Sequence, residues 1–384
     1  MNTDGYCLNA GADVPVRKIS VLTYPVYRPF LTGNEKKYVN ECLDSSWISS
    51  QGEFVEKFET AFADYLGVQY ALSCSNGTTA LHLAMLALGI SAGDEVIVPS
   101  LTYVASANAI TYTGGTPVFV DSDPDYFQMD PEKIERSITP KTRAIVVVHL
   151  YGHACDMQPI QEIAKRHHLL LIEDCAEAIG TEDAGQRVGT FGDIATFSFF
   201  GNKTITTGEG GMVVTNREDL AKQVFRFKGQ GVSDTREYFH EVVGYNYRMT
   251  NICCAIGLAQ MENLDGIIRQ KIKIADWYRK ALEDVPGISL QKKRPDTLHT
   301  WWLVSVLLSD QIRRDAFRVF LRDRGIDSRP FFVPMHQLPI YSRPLSLPVA
   351  EKLSRQGVNL PSYPDLSEKE VGYIAAQIKD FLSP

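Results

Sequence analysis

The stretch Phe197–Val214, FSFFGNKTITTGEGGMVV, holds a single basic residue, Lys203, behind a phenylalanine-rich run and ahead of a threonine- and glycine-rich one. Burial disfavours an ammonium relative to the neutral amine, and the neutral amine is the form that attacks carbonyls and removes protons. Lys203 is therefore a candidate Schiff-base lysine, with a solvated loop lysine as the reading this stretch alone leaves open. A second candidate lies in LLLIEDCAEAIG, which ends an apolar run on two carboxylates, Glu173 and Asp174. A carboxylate at the buried end of a strand needs a cation or a set of hydrogen-bond donors. A metal, a protonated heterocyclic nitrogen and a structural ion pair all meet that need, and no His or Cys cluster at ligand spacing lies near. Ser75–Leu81, SNGTTAL, puts small residues where a strand gives way to a helix, which suits either a phosphate or an ordinary helix cap. Tyr103 follows another strand and can stack on a ring or pack in the core. Ser198 alternates with Phe197 and Phe199, so its hydroxyl faces away from them, toward a phosphate or a local carbonyl. A Schiff-base lysine, an acid for a pyridinium nitrogen and a phosphate cup are together what pyridoxal 5'-phosphate requires.

The elements that must position these residues are legible as alternation. From about residue 68 to 215, apolar runs such as EVIVPS, TPVFVD, RAIVVVHLYG and LLLIED alternate with helical patterns such as GTTALHLAMLALG and PIQEIAKRHH. Continuous β-branched runs separated by helices indicate an α/β fold with a mostly parallel sheet covered on both faces. Ligands of such sheets sit beyond the carboxyl ends of the strands, where Gly77, Thr78, Tyr103, His149, Tyr151, Asp174 and Ser198 fall. A long helical pattern over Asn251–Val285 leads into WWLVSVLL, FFVP and two further helical runs, which read as a smaller α+β domain. The expected division is an N-terminal arm over 1–23, a large domain over 24–269 and a smaller C-terminal domain over 270–384.

Bulk properties narrow the class. A chain of 384 residues predicts two domains. A net charge of −7 without a concentrated basic patch argues against a nucleic-acid partner. The seven cysteines are scattered and form no CxxC pair, as expected of reduced thiols in a cytoplasmic protein without a zinc site. The N-terminus shows no basic segment followed by an apolar one, so no secretory signal is expected. The long uncharged segments Ala71–Ala92 and Val96–Val120 are broken by Ser, Asn, Thr, Gly or Pro, which argues against a membrane span. No GxGxxG follows the first strand, which disfavours a nicotinamide cofactor. His167-His168 reads as a favourable cationic helix end, Cys253-Cys254 as core, and Trp47, Trp301 and Trp302 as packing.

The order SNGT, TY, EDCAEA, FSFFGNK, GEGG and YNYRMT resembles that of the sugar aminotransferases of the DegT/DnrJ/EryC1/StrS family, from about Tyr24 to the C-terminus. The resemblance implies the aspartate aminotransferase fold, with Lys203 bound to the cofactor, Asp174 paired with its pyridine nitrogen and Tyr103 stacked on its ring. It places Gly77, Thr78 and Ser198 on the phosphate. Glu177 stands where many relatives have Gln or His against the phenolic oxygen, and a carboxylate there needs a shared proton. Asn246, in GYNYRMT, resembles an asparagine that reaches the phosphate of a neighbouring subunit, which implies a homodimer with shared sites. Arg329 and His336, in DSRPFFVPMHQLP, lie in a segment that reaches the active site in relatives, and an Arg fork suits a nucleotide phosphate or a glutamate carboxylate. The implied reaction is transfer of an amino group from L-glutamate to C4 of a nucleotide-linked 4-keto-6-deoxy sugar, for surface polysaccharide. The closer resemblance of Phe197–Val214 and SRPFFVPMHQLP to one group of relatives implies GDP-4-keto-6-deoxymannose, with a dTDP- or UDP-linked keto sugar as the alternative. Dehydrating relatives replace the lysine by histidine, so Lys203 argues against that chemistry. Loss of Lys203 or Asp174 would have favoured a non-catalytic regulatory protein, and both are present.

Overall fold

A computed structural model describes residues 23–233, 235–309 and 313–383; apart from Thr23, the expected N-terminal arm lies outside the described residues. The first half runs α1 (Glu35–Ser45), α2 (Glu53–Leu66), β1 (Tyr70–Cys74), α3 (Gly77–Ala87), β2 (Glu95–Pro99), α4 (Ala105–Tyr112), β3 (Thr116–Val120), α5 (Pro131–Arg136), β4 (Thr142–Val148) and α6 (Met157–Arg166). Next come β5 (Leu170–Asp174), a short hairpin of β6 (Glu182–Asp183) and β7 (Gln186–Arg187), β8 (Ile194–Ser198), β9 (Gly211–Thr215), α7 (Glu218–Lys228), α8 (Asn251–Glu262) and α9 (Leu264–Leu282). The chain closes with β10 (Ile288–Leu290), β11 (Thr297–Leu298), β12 (Val304–Leu308), α10 (Arg314–Asp323), β13 (Arg329–Pro330), α11 (Pro348–Gln356), β14 (Gly357–Leu360) and α12 (Glu368–Leu382).

The large sheet has seven strands in the order β1-β9-β8-β5-β4-β2-β3. All neighbours pair in parallel except β9, which is antiparallel to both β1 and β8. The β1 strand therefore points the same way as β8, and the carboxyl ends of β1, β2, β5 and β8 open on one side. Burial on both faces explains why β4 reads as an unbroken apolar run. Ala144, Val146 and Val148 pack into a core with α3 and α4, while Ile145 and Val147 pack with Ile160 and Ile163 of α6.

A second sheet, β10-β12-β14-β13, is antiparallel throughout. Its core takes Phe317 and Leu321 from α10, Val371 and Ile374 from α12, and Ile274 and Tyr278 from α9. The α9 helix starts in the other core, through Leu264, Ile267 and Ile268. Later in the chain, Phe331, Met335, Tyr341, Ala350 and Leu353 return to pack with the large sheet. Among the described residues no helix is long and apolar enough to cross a membrane.

Candidate active site

The turn after β1 is built by a capping box. Asn76 Oδ1 accepts the Thr79 N–H at 2.9 Å, and Thr79 Oγ1 accepts the Asn76 N–H at 3.1 Å. The next N–H groups, those of Gly77 and Thr78, have no acceptor among the described residues, and both residues line a cavity of about 640 Å³. Ser198, at the end of β8, lines it from the other side. A Cβ on Gly77 would lie 2.7 Å from the Ser198 Cβ, so glycine is what lets helix start and strand end approach. Two free N–H groups and a hydroxyl at the positive end of α3 form a cradle for a phosphate-sized anion.

Glu173 and Asp174 are neighbours on β5 and so face opposite sides of the sheet. Glu173 accepts N–H groups from Gly189, Phe191 and Gly192 at 2.7, 2.7 and 2.8 Å, and lies 3.1 Å from His149 Nε2. His149 Nδ1 accepts the Cys155 N–H at 3.1 Å, which puts the ring proton on Nε2, pointing at Glu173. Ligand atoms of His149, Glu173 and Cys175 lie within 4.8 Å of one another, but the Glu173 oxygens are already engaged by these donors. Asp174 lines the cavity and, among the described residues, receives only the Ser106 hydroxyl at 2.7 Å and the Ala176 N–H at 3.1 Å. Burial pushes its carboxyl above the usual range, against the pull of those two donors and of the Lys203 charge. A buried carboxylate with two neutral donors has room for a charged N–H partner.

Lys203 sits in the loop between β8 and β9. Its Nζ lies 3.5 Å from Glu177 Oε1 and 4.1 Å from the centre of the Trp302 ring. The loop is tied on both sides of the lysine: Trp302 Nε1 donates to the Asn202 carbonyl at 2.7 Å, and the Tyr27 hydroxyl to the Thr204 carbonyl at 3.1 Å. Glu177 Oε2 accepts the Tyr151 N–H at 2.9 Å. Tyr151 holds a left-handed backbone, φ 58°, a strain that aims this N–H at the carboxylate. Burial pushes the Glu177 carboxyl up to about 7, although Lys203 and the Tyr151 N–H pull it down.

The cavity thus gathers Gly77, Thr78, Tyr103, Asp174, Glu177, Ser198, Lys203 and Arg329. Tyr103 is more than half exposed at its mouth, its ring tilted 55° to Phe332. Two other site candidates do not line this chain's cavity. Asn246 is exposed, forms a backbone bridge with Gly229 and does not line this chain's cavity. His336 is buried outside the cavity, 2.7 Å from Ser100 Oγ and 3.3 Å from Glu351. The short helical turn Met335–Gln337, anchored by the Met335 N–H on the Ser100 carbonyl, turns His336 inward, away from the cavity.

Trp302, expected to be packing alone, lines the cavity under Lys203. The WW doublet carried the signal: consecutive residues entering a strand face opposite ways, and Trp301 packs in the smaller core while Trp302 packs in the larger. His82 also lines the cavity, its Nε2 buried without a partner among the described residues. Its position on the apolar face of α3 concealed it.

Residues 29–379 match the DegT/DnrJ/EryC1/StrS aminotransferase family. Over 360 residues the chain is 57% identical to the GDP-perosamine synthase of Escherichia coli O157:H7, covering 94% of this chain and 98% of that one. Over 364 residues it is 49% identical to the GDP-perosamine synthase of Vibrio cholerae, covering 94% and 99%. Among solved structures, S. venezuelae DesV in complex with a ketimine intermediate superposes with a TM-score of 0.87 at 36% identity, covering 91% of this chain and 95% of that one.

Proposed function

The chain belongs to the DegT/DnrJ/EryC1/StrS aminotransferase family, and we propose that it moves an amino group from L-glutamate to C4 of GDP-4-keto-6-deoxymannose, giving GDP-perosamine for surface polysaccharide. The observation that carries this reading is the single cavity joining Lys203, Asp174 and the anion cradle of Gly77, Thr78 and Ser198, in a chain 57% identical to a GDP-perosamine synthase. Pyridoxal 5'-phosphate fits the residues present, because among the described residues the cradle's two N–H donors have no acceptor and Asp174 has no hydrogen bond from a charged group. Bound there, it supplies a carbonyl that exchanges with amines and a ring that takes up the electrons of a broken C–H bond.

The protein's own groups do the rest. The Gly77 and Thr78 N–H groups and the Ser198 hydroxyl hold the phosphate dianion at the positive end of α3. Asp174 would keep the proton on the pyridine nitrogen, Tyr103 would cover the ring, and Glu177 would face the phenolic oxygen. Lys203 removes the donor's α-proton as a neutral amine and returns a proton from the same face, which fixes the configuration at the sugar carbon. Arg329, at the cavity wall, suits the glutamate carboxylate or the sugar diphosphate. Asn246, exposed and outside its own cavity, serves the site of a second copy, making the cytoplasmic enzyme a homodimer with shared sites. The same reading divides the chain into a cofactor-binding domain over 24–269 and a smaller one over 270–384, supported by α9 leaving one core near Ile268 and entering the other at Ile274.

A competition between GDP-linked and dTDP-linked 4-keto-6-deoxy sugars at equal concentration, with glutamate as donor, tests the substrate. Products counted by mass spectrometry should be GDP-linked amines. A preference for the dTDP compound, or for a 3-keto sugar, would remove the perosamine assignment and leave the lysine chemistry standing.

A further inference from the structure

The stretch Tyr245–Tyr247 runs strand-like along the edge of the large sheet, with backbone bridges from Asn246 to Gly229 and from Arg248 to Cys74. Side chains on such a stretch alternate. The Tyr245 and Tyr247 rings share one face, stacked 4.8 Å apart at 17°. Both pack against the His82 ring of α3, at 5.0 and 5.9 Å between centres. His82 is 5% exposed, and its Nδ1 lies 3.3 Å from the Tyr247 hydroxyl. Asn246, between the two tyrosines, is exposed on the opposite face. The backbone is tied on both sides of it: the Tyr245 N–H donates to the Phe227 carbonyl at 2.7 Å and the Tyr247 N–H to the Lys228 carbonyl at 3.1 Å. The Tyr247 carbonyl accepts the Ser75 N–H at 2.8 Å, one residue before the Asn76 cap that opens the anion cradle.

We infer that His82 is a positioning residue that acts in trans: with Tyr245 and Tyr247 it forms a platform that aims Asn246 at the anion cradle of a second copy of this chain. The inference rests on the homodimer with shared sites proposed above. Backbone hydrogen bonds fix where the stretch lies, and the direction of the Asn246 side chain depends on which face of the stretch is held. Two tyrosine rings seated edge-on against one imidazole hold that face. A hydrogen bond to a phosphate weakens steeply when its donor is misaligned, so a loosened platform loses it. His82 and Tyr247 also line the cavity of their own chain. A role for His82 in its own site is therefore the rival reading, and the two place the effect of a substitution in different subunits.

Hybrid dimers isolated with two different affinity tags separate these readings. One chain, the reporter, keeps Lys203, and the second carries Lys203→Ala. The hybrids are equilibrated with graded pyridoxal 5'-phosphate and reduced with borohydride. Mass spectrometry of the labelled Lys203 peptide then gives the affinity of the reporter site without reference to turnover. Asn246→Ala in the second chain should weaken that site about tenfold, the loss of one hydrogen bond to a charged group. His82→Leu in the second chain should weaken it to a similar extent, and the two substitutions together there should weaken it no further. His82→Leu in the reporter should change it by less than about twofold. Tyr247→Phe in the second chain removes the hydroxyl that meets His82 and should also weaken the reporter site, which preserves the test should the leucine variant not fold. Weakening confined to substitutions in the reporter, or effects of His82→Leu and Asn246→Ala that add, overturn the inference and leave the shared sites standing. An Asn246→Ala second chain without effect removes the shared-site reading, and the inference with it.

Discussion

Lys271 offers a prediction whose size comes directly from its surroundings. It lies on α9, 1% exposed, and donates to the Ser362 carbonyl at 2.7 Å with its ammonium 5.0 Å from the centre of the Tyr27 ring. No carboxylate pairs with it among the described residues. Burial pushes its value down to about 7 from the ordinary lysine value. Below pH 7 the lysine is protonated in both folded and unfolded chains, and the cost of burying the charge is fully present. Between pH 7 and the unfolded value near 10.4, the unfolded chain holds one more proton than the folded one, so stability rises by about 1.4 kcal/mol per pH unit. Over the whole window the contribution is ~5 kcal/mol. Lys271→Met removes the titration and leaves the Ser362 carbonyl without its donor, a penalty that does not depend on pH. The measurement is guanidinium unfolding of both proteins at fixed concentration and several pH values. The wild-type stability minus that of the variant should climb by ~2 kcal/mol from pH 7 to pH 9, since all other titrating groups cancel. A difference that stays flat across that range would refute a neutral buried lysine.

Two further variants bear on the site. Asp174→Asn should fold and keep the Ser106 contact but lose about a hundredfold or more in turnover, because an amide cannot hold the pyridinium proton; rates near wild type would end the electron-sink argument. Mixing an inactive Asn246→Ala chain with an inactive Lys203→Ala chain should restore part of the activity, as one hybrid site keeps both residues, whereas proven subunit exchange without recovery would return Asn246 to its own subunit.

The fold was legible where one physical rule governed each element. Unbroken apolar runs such as Ala144–Val148 are what a strand buried on both faces requires, and the structure buries all five residues. The site residues Gly77, Asp174, Ser198 and Lys203 were legible because they follow those runs, at the end of the sheet where ligands collect. What stayed hidden depends on direction rather than position. The antiparallel course of β9 is set by the loop that carries Lys203, and no residue pattern in GGMVVT announces it. His336 looked like a site residue by its segment, but one short helical turn rotates it onto Ser100 and Glu351. Trp302 looked like packing because both partners of the doublet are buried, and only their opposite facing separates a cavity wall from a core residue.

The two carboxylates at the end of β5 show what distinguishes a working group from a structural one here. They share a strand, a depth and a chemistry, and differ in how completely the fold fills them. Glu173 has three backbone N–H donors and an imidazole, so its oxygens are occupied and its charge is spent holding the turn at Gly189–Gly192. Asp174 has two neutral donors and an open side facing the cavity. The same contrast separates the other residues. Lys271 donates to the Ser362 carbonyl and meets no carboxylate among the described residues, whereas Lys203 faces one oxygen of Glu177 across 3.5 Å. His336 has partners on both ring nitrogens, whereas His82 leaves Nε2 without one among the described residues, at the cavity wall. Leaving a buried polar group unfilled costs about 1–3 kcal/mol, and a fold keeps such groups together only where something else completes them. In this chain groups with capacity to bind meet in one cavity: two N–H groups at the start of α3, the open side of Asp174, and the Glu177–Lys203 pair, whose atoms lie 3.5 Å apart. Their chemistry is complementary in turn to a phosphate, a ring cation, a phenolic oxygen and a carbonyl, and one molecule carrying all four accounts for the whole set.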